Sequence, residues 1–495
     1  MEEPLSPTGL IRPEHLTDKI CTDAWVQGDG TPITVREAAT GEEITTIGAA
    51  SVDQVGAAGM IAARAQREWA ALPPAARSAV LRRAADLFEA HADEIRPWLV
   101  RESGGTRTKA STELLASAAE CREAAALPTH PHGEVLTSNK DRWSIARRVP
   151  AGVVAVIAPF NYPLTLAIRS VAPALGLGNA VMLKPDPRTS VCGGLVLQRA
   201  FEEAGLPPGV LQTLPGGAEV GAAVVAAPEV RIISFTGSTA AGRHVGEAAA
   251  RHLKRAHLEL GGNNAILVLP GADIERAARA GAYASFLHQG QICQTAGRHL
   301  VHESQYDDYV AALSQVAADL RVGDTFRDES AQLGPLIDAT QAAQVRAIIE
   351  DAVGAGASIA TGGAGPDQFI RPTVLTGVTL DMRAWHDEIF GPVAPVVAYA
   401  TLDEAIEIIN ASEYALSVGV LGDVGTAMTV ADRVVSGKVH INEQTVNDEA
   451  NAPFGGAGAS GNGARFGGPT ANIEAFTETQ WVTMRPEIED YVIRP

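Results

Sequence analysis

Three apolar runs, VVAVIAP (153–159), AVMLKP (180–185) and RIISFTG (231–237), constrain this chain more than any other feature. None alternates polar with apolar, so each reads as a short strand covered on both faces. Each also leads straight into a turn and a helical stretch. FNYP is followed by a helix from about Leu164, PRTS by a helix through Phe201, and the third run by STAAGRHVGEAAARHLKRA. Strand–turn–helix units in series predict an α/β, doubly wound parallel sheet whose ligands bind beyond the carboxyl ends of the strands. NAILVLP, HLVHES, PVVAYA, SVGVLGD and KVHINE, separated by helical stretches, repeat the alternation in the second half. The boundary between the halves is placed near residues 255–258.

Composition excludes several function classes. With 495 residues there is material for two or three domains, and 58 acidic against 39 basic residues give a formal charge of −19. Such acidity argues against nucleic acid or an anionic membrane as the main partner. MEEPLSPTGLIRPEHLTDK lacks the basic and apolar regions of a secretory signal, and no apolar run reaches membrane-spanning length. Cys21, Cys121, Cys192 and Cys293 show neither CxxC pairing nor histidines at metal spacing. These features predict a cytoplasmic enzyme with reduced thiols and no metal. His130 and His132 read as surface residues.

Residues 51–126 carry helical spacing, opened by Ser51 as an N-cap and Asp53 in the first turn and broken at Pro73 and Pro74. Cys121 is expected inside this helical layer. GEVLTS, the polar SNKD turn and RWSIARRV then predict a hairpin, which would be marginal alone and needs a partner strand.

Chemistry concentrates where strands end. HQGQICQTAGR (288–298) sets Cys293 among glutamines and glycines with no aliphatic stripe, which fits an accessible nucleophile or an inconsequential loop cysteine. FTGSTAAGR (235–243) places Gly237, Ser238 and Gly242 at a strand-to-helix junction, a phosphate cradle or an ordinary capped turn. Lys184 emerges at the end of AVMLKP, suited to ribose hydroxyls, a phosphate or plain solvent. Asn161 in PFNYP is suited to an oxyanion or to turn chemistry. Glu259 before two glycines is a general base or a salt-bridge partner. Glu388 and Phe390 in DEIFGPV would hold a ribose and a flat ring, or cap a loop.

Together these tracts resemble the aldehyde dehydrogenase superfamily. PFNYP, MLKP, FTGST..GR, ELGGNN, GQICQTAGR, EIFGP and PFGG occur in the family's order, and the likeness runs from about residue 25 to the end. The resemblance implies that Cys293 is the nucleophile, that Asn161 and the Cys293 N–H hold the oxyanion, and that Glu259 activates the hydrolytic water. It implies a cofactor site of Ile157, Pro159, Phe160, Lys184, Gly237, Ser238, Gly242, Leu260, Glu388 and Phe390. LKPDPRT, IRSVAPALGLGN and HINEQTVNDEANAPFGG are similar to the benzaldehyde and vanillin dehydrogenase branch, implying an aromatic aldehyde walled by Tyr162, Leu166, Ile292 and Phe454. Arg169 is open to two readings, a contact to a ring substituent or a structural pair.

Two departures from the family pattern stand out. Pro187 occupies the place where many NAD-preferring relatives carry a glutamate, so NAD or NADP, with dual use, is expected. Arg465 replaces a carboxylate found in some members. The resemblance implies a cofactor domain (1–130 and 149–257), a catalytic domain (258–440) and a return segment (441–475) on the cofactor domain. An oligomerisation element (131–148 and 476–495) would join the hairpin to TETQWVTMR across subunits of a homodimer or homotetramer. An aliphatic aldehyde or semialdehyde substrate, or a CoA-acylating reaction, is the alternative; Glu259 speaks against the latter.

Overall fold

The apolar runs become strands of two seven-stranded sheets in a computed structural model that describes residues 9–131 and 133–493. The first sheet runs Arg255–Glu259, Val230–Thr236, Val153–Ile157, Ala180–Lys184, Leu211–Thr213, Lys19–Cys21 and Trp25–Gln27. Its first five strands are parallel, and an antiparallel N-terminal hairpin closes the far edge. Register lines up the carboxyl ends: Ile157 lies beside Lys184 and Phe235, and Thr236 beside Glu259.

The second sheet runs Ser358–Thr361, Thr373–Thr376, Val393–Tyr399, Ala296–His302, Asn264–Val268, Ser417–Leu421 and Lys438–Ile441. All neighbours but the first pair are parallel. The chain passes between sheets at residues 260–263, slightly beyond the boundary read from the sequence, because Arg255–Glu259 pairs with Val230–Thr236. The carboxyl end of the first sheet's edge strand is thereby tied to the amino end of a central strand of the second.

Ser51 caps Val52–Ala71 by accepting from the Gln54 N–H at 3.2 Å. The helical layer breaks at the two prolines and again at His91, whose non-helical backbone separates Pro74–Ala90 from Ala92–Ser103. Cys121 is fully buried on Arg107–Ala124. The hairpin strands Gly133–Val135 and Trp143–Pro150 form a three-stranded sheet with Thr477–Met484. That pairing lies within one chain, which corrects the expectation of a hairpin joined to the terminal strand across subunits: Gly468–Phe476 brings the strand directly to its own hairpin. No helix among the described residues is long and apolar enough to cross a membrane. Residues 1–8, His132 and 494–495 lie outside the described residues, including parts of the stretches read for a signal and for the oligomerisation element.

Candidate active site

Where the first sheet ends, Ile157 and Lys184 sit side by side, both buried. The Lys184 ammonium has no hydrogen-bond or ion-pair partner among the described residues, and burial lowers its pKa against the opposing pull of Asp186 and Glu219. A buried, unpaired cation needs an anionic or hydroxyl-rich ligand. Nearby, Ser238 caps Thr239–Arg251 by accepting from the Ala241 N–H at 3.3 Å, which leaves a helix start suited to a phosphate. Gly237 donates its N–H to the Glu259 carbonyl at 3.1 Å, and Gly242 lies against the Leu260 side chain. Pro159 and Phe160 leave the sheet half-buried; the Phe160 ring meets Phe390 edge-on at 5.8 Å and lies 4.2 Å from the Arg188 guanidinium. These residues fit a dinucleotide.

The loop that presents Cys293 is tightly held. His288, Gln289 and Gly290 have φ of +49°, +56° and +69° in succession, and the first two cost about 1–3 kcal/mol each in that conformation. The Gln289 amide opposes this strain by donating to the Gly104 and Pro335 carbonyls, both at 2.8 Å. Gln291 accepts from the Ile337 N–H at 2.9 Å. The Asn264 amide donates to the Cys293 and Thr295 carbonyls, each at 2.8 Å. Gly262 packs so closely on the Cys293 carbonyl that a Cβ would collide with it, and Gly261 faces Glu388 in the same way. Glu388 accepts from the Gly262 N–H at 2.8 Å, and burial pushes its carboxyl up to about 7. The four residues of GGNN therefore lock Glu388 and the cysteine loop to one turn; Asn263 adds a bond to the Trp385 carbonyl at 2.7 Å.

Cys293 is half-buried, not freely accessible as its polar neighbours suggested. Burial pushes its thiol up to about 12, with Glu388 and Glu259 adding to the rise while Lys438 and Arg169 oppose it. Glu259 is buried, neither carboxylate oxygen has a hydrogen-bond partner among the described residues, and burial raises its pKa well above the ordinary value. Asn161 donates from its amide to the Gln291 carbonyl at 2.8 Å, and the second amide hydrogen is left for another acceptor. Its own carbonyl accepts from Lys109 at 2.7 Å, and Lys109 pairs with Glu113 at 2.6 Å.

Tyr162, Leu166 and Arg169 recur at helical spacing around the start of Pro163–Gly176; Ile292 and Phe454 are buried, and the Tyr162 ring meets His288 edge-on at 5.4 Å. Arg169 is a structural pair: it bridges to Asp448 and, at 3.5 Å, to Glu120, and lies 4.4 Å from the Phe454 ring centre. Arg465 donates to the Gly456 and Ala464 carbonyls at 3.1 and 2.9 Å, bracing the glycine-rich turn, and its charge opposes the upward shift of Glu259.

A family model described as the Aldehyde dehydrogenase family matches residues 25–482. The chain belongs to the aldehyde dehydrogenase family. A vanillin dehydrogenase of Amycolatopsis is 57% identical over 479 residues, spanning 97% of this chain and 98% of that protein. A benzaldehyde dehydrogenase [NAD(+)] of Pseudomonas putida is 45% identical over 475 residues, 96% of this chain and 97% of its own. The crystal structure of a salicylaldehyde dehydrogenase from Pseudomonas putida G7, complexed with salicylaldehyde, superposes with a TM-score of 0.93 at 34% identity, covering 97% of this chain and 100% of that one. The two-sheet architecture is the aldehyde dehydrogenase fold.

Within this aldehyde dehydrogenase, sequence reasoning missed four contributors. Lys109 and Glu113 were visible only as polar residues of a helix, although their i, i+4 spacing is that of an ion pair. Asn264 was quoted within a motif without a task. Lys438 read as the start of a strand, yet it is half-buried beside the site.

Proposed function

We propose that this chain oxidises an aromatic aldehyde to its carboxylic acid with NAD(P), through a thiohemiacetal and a thioester on Cys293. One observation carries the reading. Asn161 and Asn264 bind the Cys293 loop from opposite sequence directions, while the unpaired carboxylate of Glu259 acts electrostatically on the thiol.

Burial disfavours the charged form of both groups, raising the pKa of Glu259 well above its ordinary value and pushing the Cys293 thiol up to about 12. Glu259 in its ionised form takes the thiol proton, and the thiolate adds to the aldehyde carbon. The resulting oxyanion is stabilised by the free hydrogen of the Asn161 amide and by the Cys293 N–H, which no hydrogen bond uses among the described residues. Bound NAD(P) supplies the hydride acceptor that turns the thiohemiacetal into the thioester. Glu259 passes the thiol proton to solvent and, ionised again, deprotonates a water that attacks the thioester carbon; the acid is released and the departing thiolate recovers a proton from Glu259. Lys184 and the Ser238 helix start would hold the cofactor's ribose and phosphates, Glu388 the second ribose, and Phe390 the face of the ring.

The aromatic assignment is supported by relatives named for vanillin, benzaldehyde and salicylaldehyde and by an apolar wall of Tyr162, Leu166, Ile292 and Phe454. Arg169, spent on Asp448 and Glu120, frames this wall and leaves the ring to be bound chiefly by apolar contact. Use of both cofactors is supported by Pro187, which has no carboxylate at the place where many NAD-preferring relatives carry a glutamate. Exposed apolar residues on the three-stranded sheet support a homodimer or homotetramer.

The test is a steady-state panel of aromatic and aliphatic aldehydes with NAD and with NADP, run on wild type and Cys293→Ala. Aromatic aldehydes are expected to lead in kcat/KM by roughly tenfold, about 1.4 kcal/mol, and Cys293→Ala to form no NADH. Faster turnover of short aliphatic semialdehydes would refute the substrate class. Equal rates in Cys293→Ala would refute the mechanism.

A further inference from the structure

Lys438 opens the edge strand of the second sheet, and its position follows from sheet register. It lies directly beside Ser417. The Ser417 N–H donates to Asn264 at 2.9 Å, and Asn264 donates in turn to the Cys293 carbonyl. A second tie runs through Thr445, which accepts from the Ser417 hydroxyl at 2.8 Å and donates its own hydroxyl to the Gln294 carbonyl at 2.7 Å. The strand carrying Lys438 is therefore tied to the residues around the nucleophile twice, through its neighbour Ser417 and through Thr445 just beyond its end.

Its side chain is equally constrained. The ammonium donates to the Asn447 carbonyl at 2.7 Å and lies 4.3 Å from the centre of the Phe454 ring, the same ring that carries Arg169. No carboxylate forms an ion pair with Lys438 among the described residues. The charged and titratable groups that face it are Cys293 from the nucleophile loop, Arg169 from Pro163–Gly176 and Glu259 from the end of Arg255–Glu259, with His440 on its own strand. Apart from burial, Lys438 is the largest single influence on the Cys293 thiol.

We propose that Lys438 is a positioning residue for this chemistry: it holds a positive charge beside Cys293 and Glu259 and so sets how readily the thiol gives up its proton. The inference rests on Cys293 being the nucleophile. Burial brings Lys438 itself down to about 7, while Cys293 and Glu259 favour its charged form. Below about pH 7 the lysine is charged and favours the thiolate; above it the lysine becomes neutral and the help disappears. An arginine in its place stays charged throughout.

The experiment measures the rate of Cys293 alkylation by iodoacetamide between pH 6 and 10, read by peptide mass, for wild type, Lys438→Met and Lys438→Arg. Steady-state NADH formation with benzaldehyde is recorded alongside. A nearby charge moves a pKa by about one unit, so Lys438→Met should alkylate about tenfold more slowly at pH 6, converging with wild type above pH 8. Lys438→Arg should match wild type at pH 6 and exceed it above pH 8. A merely structural lysine would give the same pH dependence in all three proteins, and that result overturns the proposal even if turnover falls. Should Lys438→Met fail to fold, the comparison of Lys438→Arg with wild type above pH 8 decides alone. Cys293→Ala separates the two claims: if it still turns over aldehyde, the nucleophile assignment fails, whatever the alkylation curves show.

Discussion

Glu259 shows how burial converts an ordinary carboxylate into a base. With no hydrogen-bond donor on either oxygen among the described residues, its ionised form is penalised by burial and its pKa is raised well above the ordinary carboxylate value. Because a base acts only when ionised, turnover should rise with pH through this elevated pKa. Glu259→Gln is expected to lose that rise and to lower kcat by about 10²–10⁴-fold, measured as pH–rate profiles of both proteins. Asn264 acts on the same sulfur through geometry. Asn264→Ala leaves the Cys293 and Thr295 carbonyls without their donor, at a cost of about 1–3 kcal/mol for each group left unsatisfied, read as a lower urea midpoint. The displaced Cys293 N–H should also reduce kcat, since a shift of about 1 Å in a reacting group costs about 10²-fold. The residues proposed as nucleophile, base and oxyanion amide were legible as residue types in a recognisable order. The thiol's burial was not, because glutamine and glycine neighbours say nothing about the Pro335, Ile337 and Gly104 backbone that closes over the loop.

Among the elements, Pro163–Gly176 shows what the sequence alone conceals. Its N-cap position, Tyr162, offers no capping side chain, and the orphan N–H groups of Leu164 and Thr165 are taken by the Glu113 carboxylate at 2.9 and 3.3 Å. Glu113 also neutralises Lys109, whose ammonium fixes the Asn161 carbonyl. One buried ion pair thus caps this helix and holds the backbone of Asn161, the proposed oxyanion donor. Glu113→Gln preserves shape but strands the lysine charge, so it should destabilise by about 3–5 kcal/mol in urea unfolding. Adding Lys109→Met removes the stranded charge, and the double variant should recover more than half of that loss. The long parallel strands were legible because each is an unbroken apolar run. The three-residue strands Lys19–Cys21, Trp25–Gln27 and Leu211–Thr213 were not, since pieces so short carry no periodicity and are strands only by virtue of the sheet they extend.

At the scale of the whole molecule, the carboxyl edge of one sheet is joined to the amino edge of the other, so the residues proposed to hold the cofactor sit at strand ends and the proposed nucleophile just ahead of a strand beginning. The alternation of strands and helices predicted both sheets; which neighbour the hairpin would find depended on how the last helix delivers the terminal strand. Thr477–Met484 pairs along its whole length with Trp143–Pro150, and its other edge has no partner among the described residues. Trp481 and Met484 are 62% and 56% exposed on this strand, and Trp143 is 61% exposed on its neighbour. An eight-residue, uncovered edge bearing large apolar side chains is a surface that proteins ordinarily cover or charge. The proposed self-association would cover it without any partner of another kind, and the strand belongs to the three-stranded sheet, outside the two sheets that carry the proposed catalytic residues. Trp481→Lys combined with Met484→Lys puts like charges on that surface, so copies should separate: sedimentation velocity should show a smaller species, with thermal unfolding of the chain still cooperative. An unchanged sedimentation coefficient would place the subunit contact elsewhere.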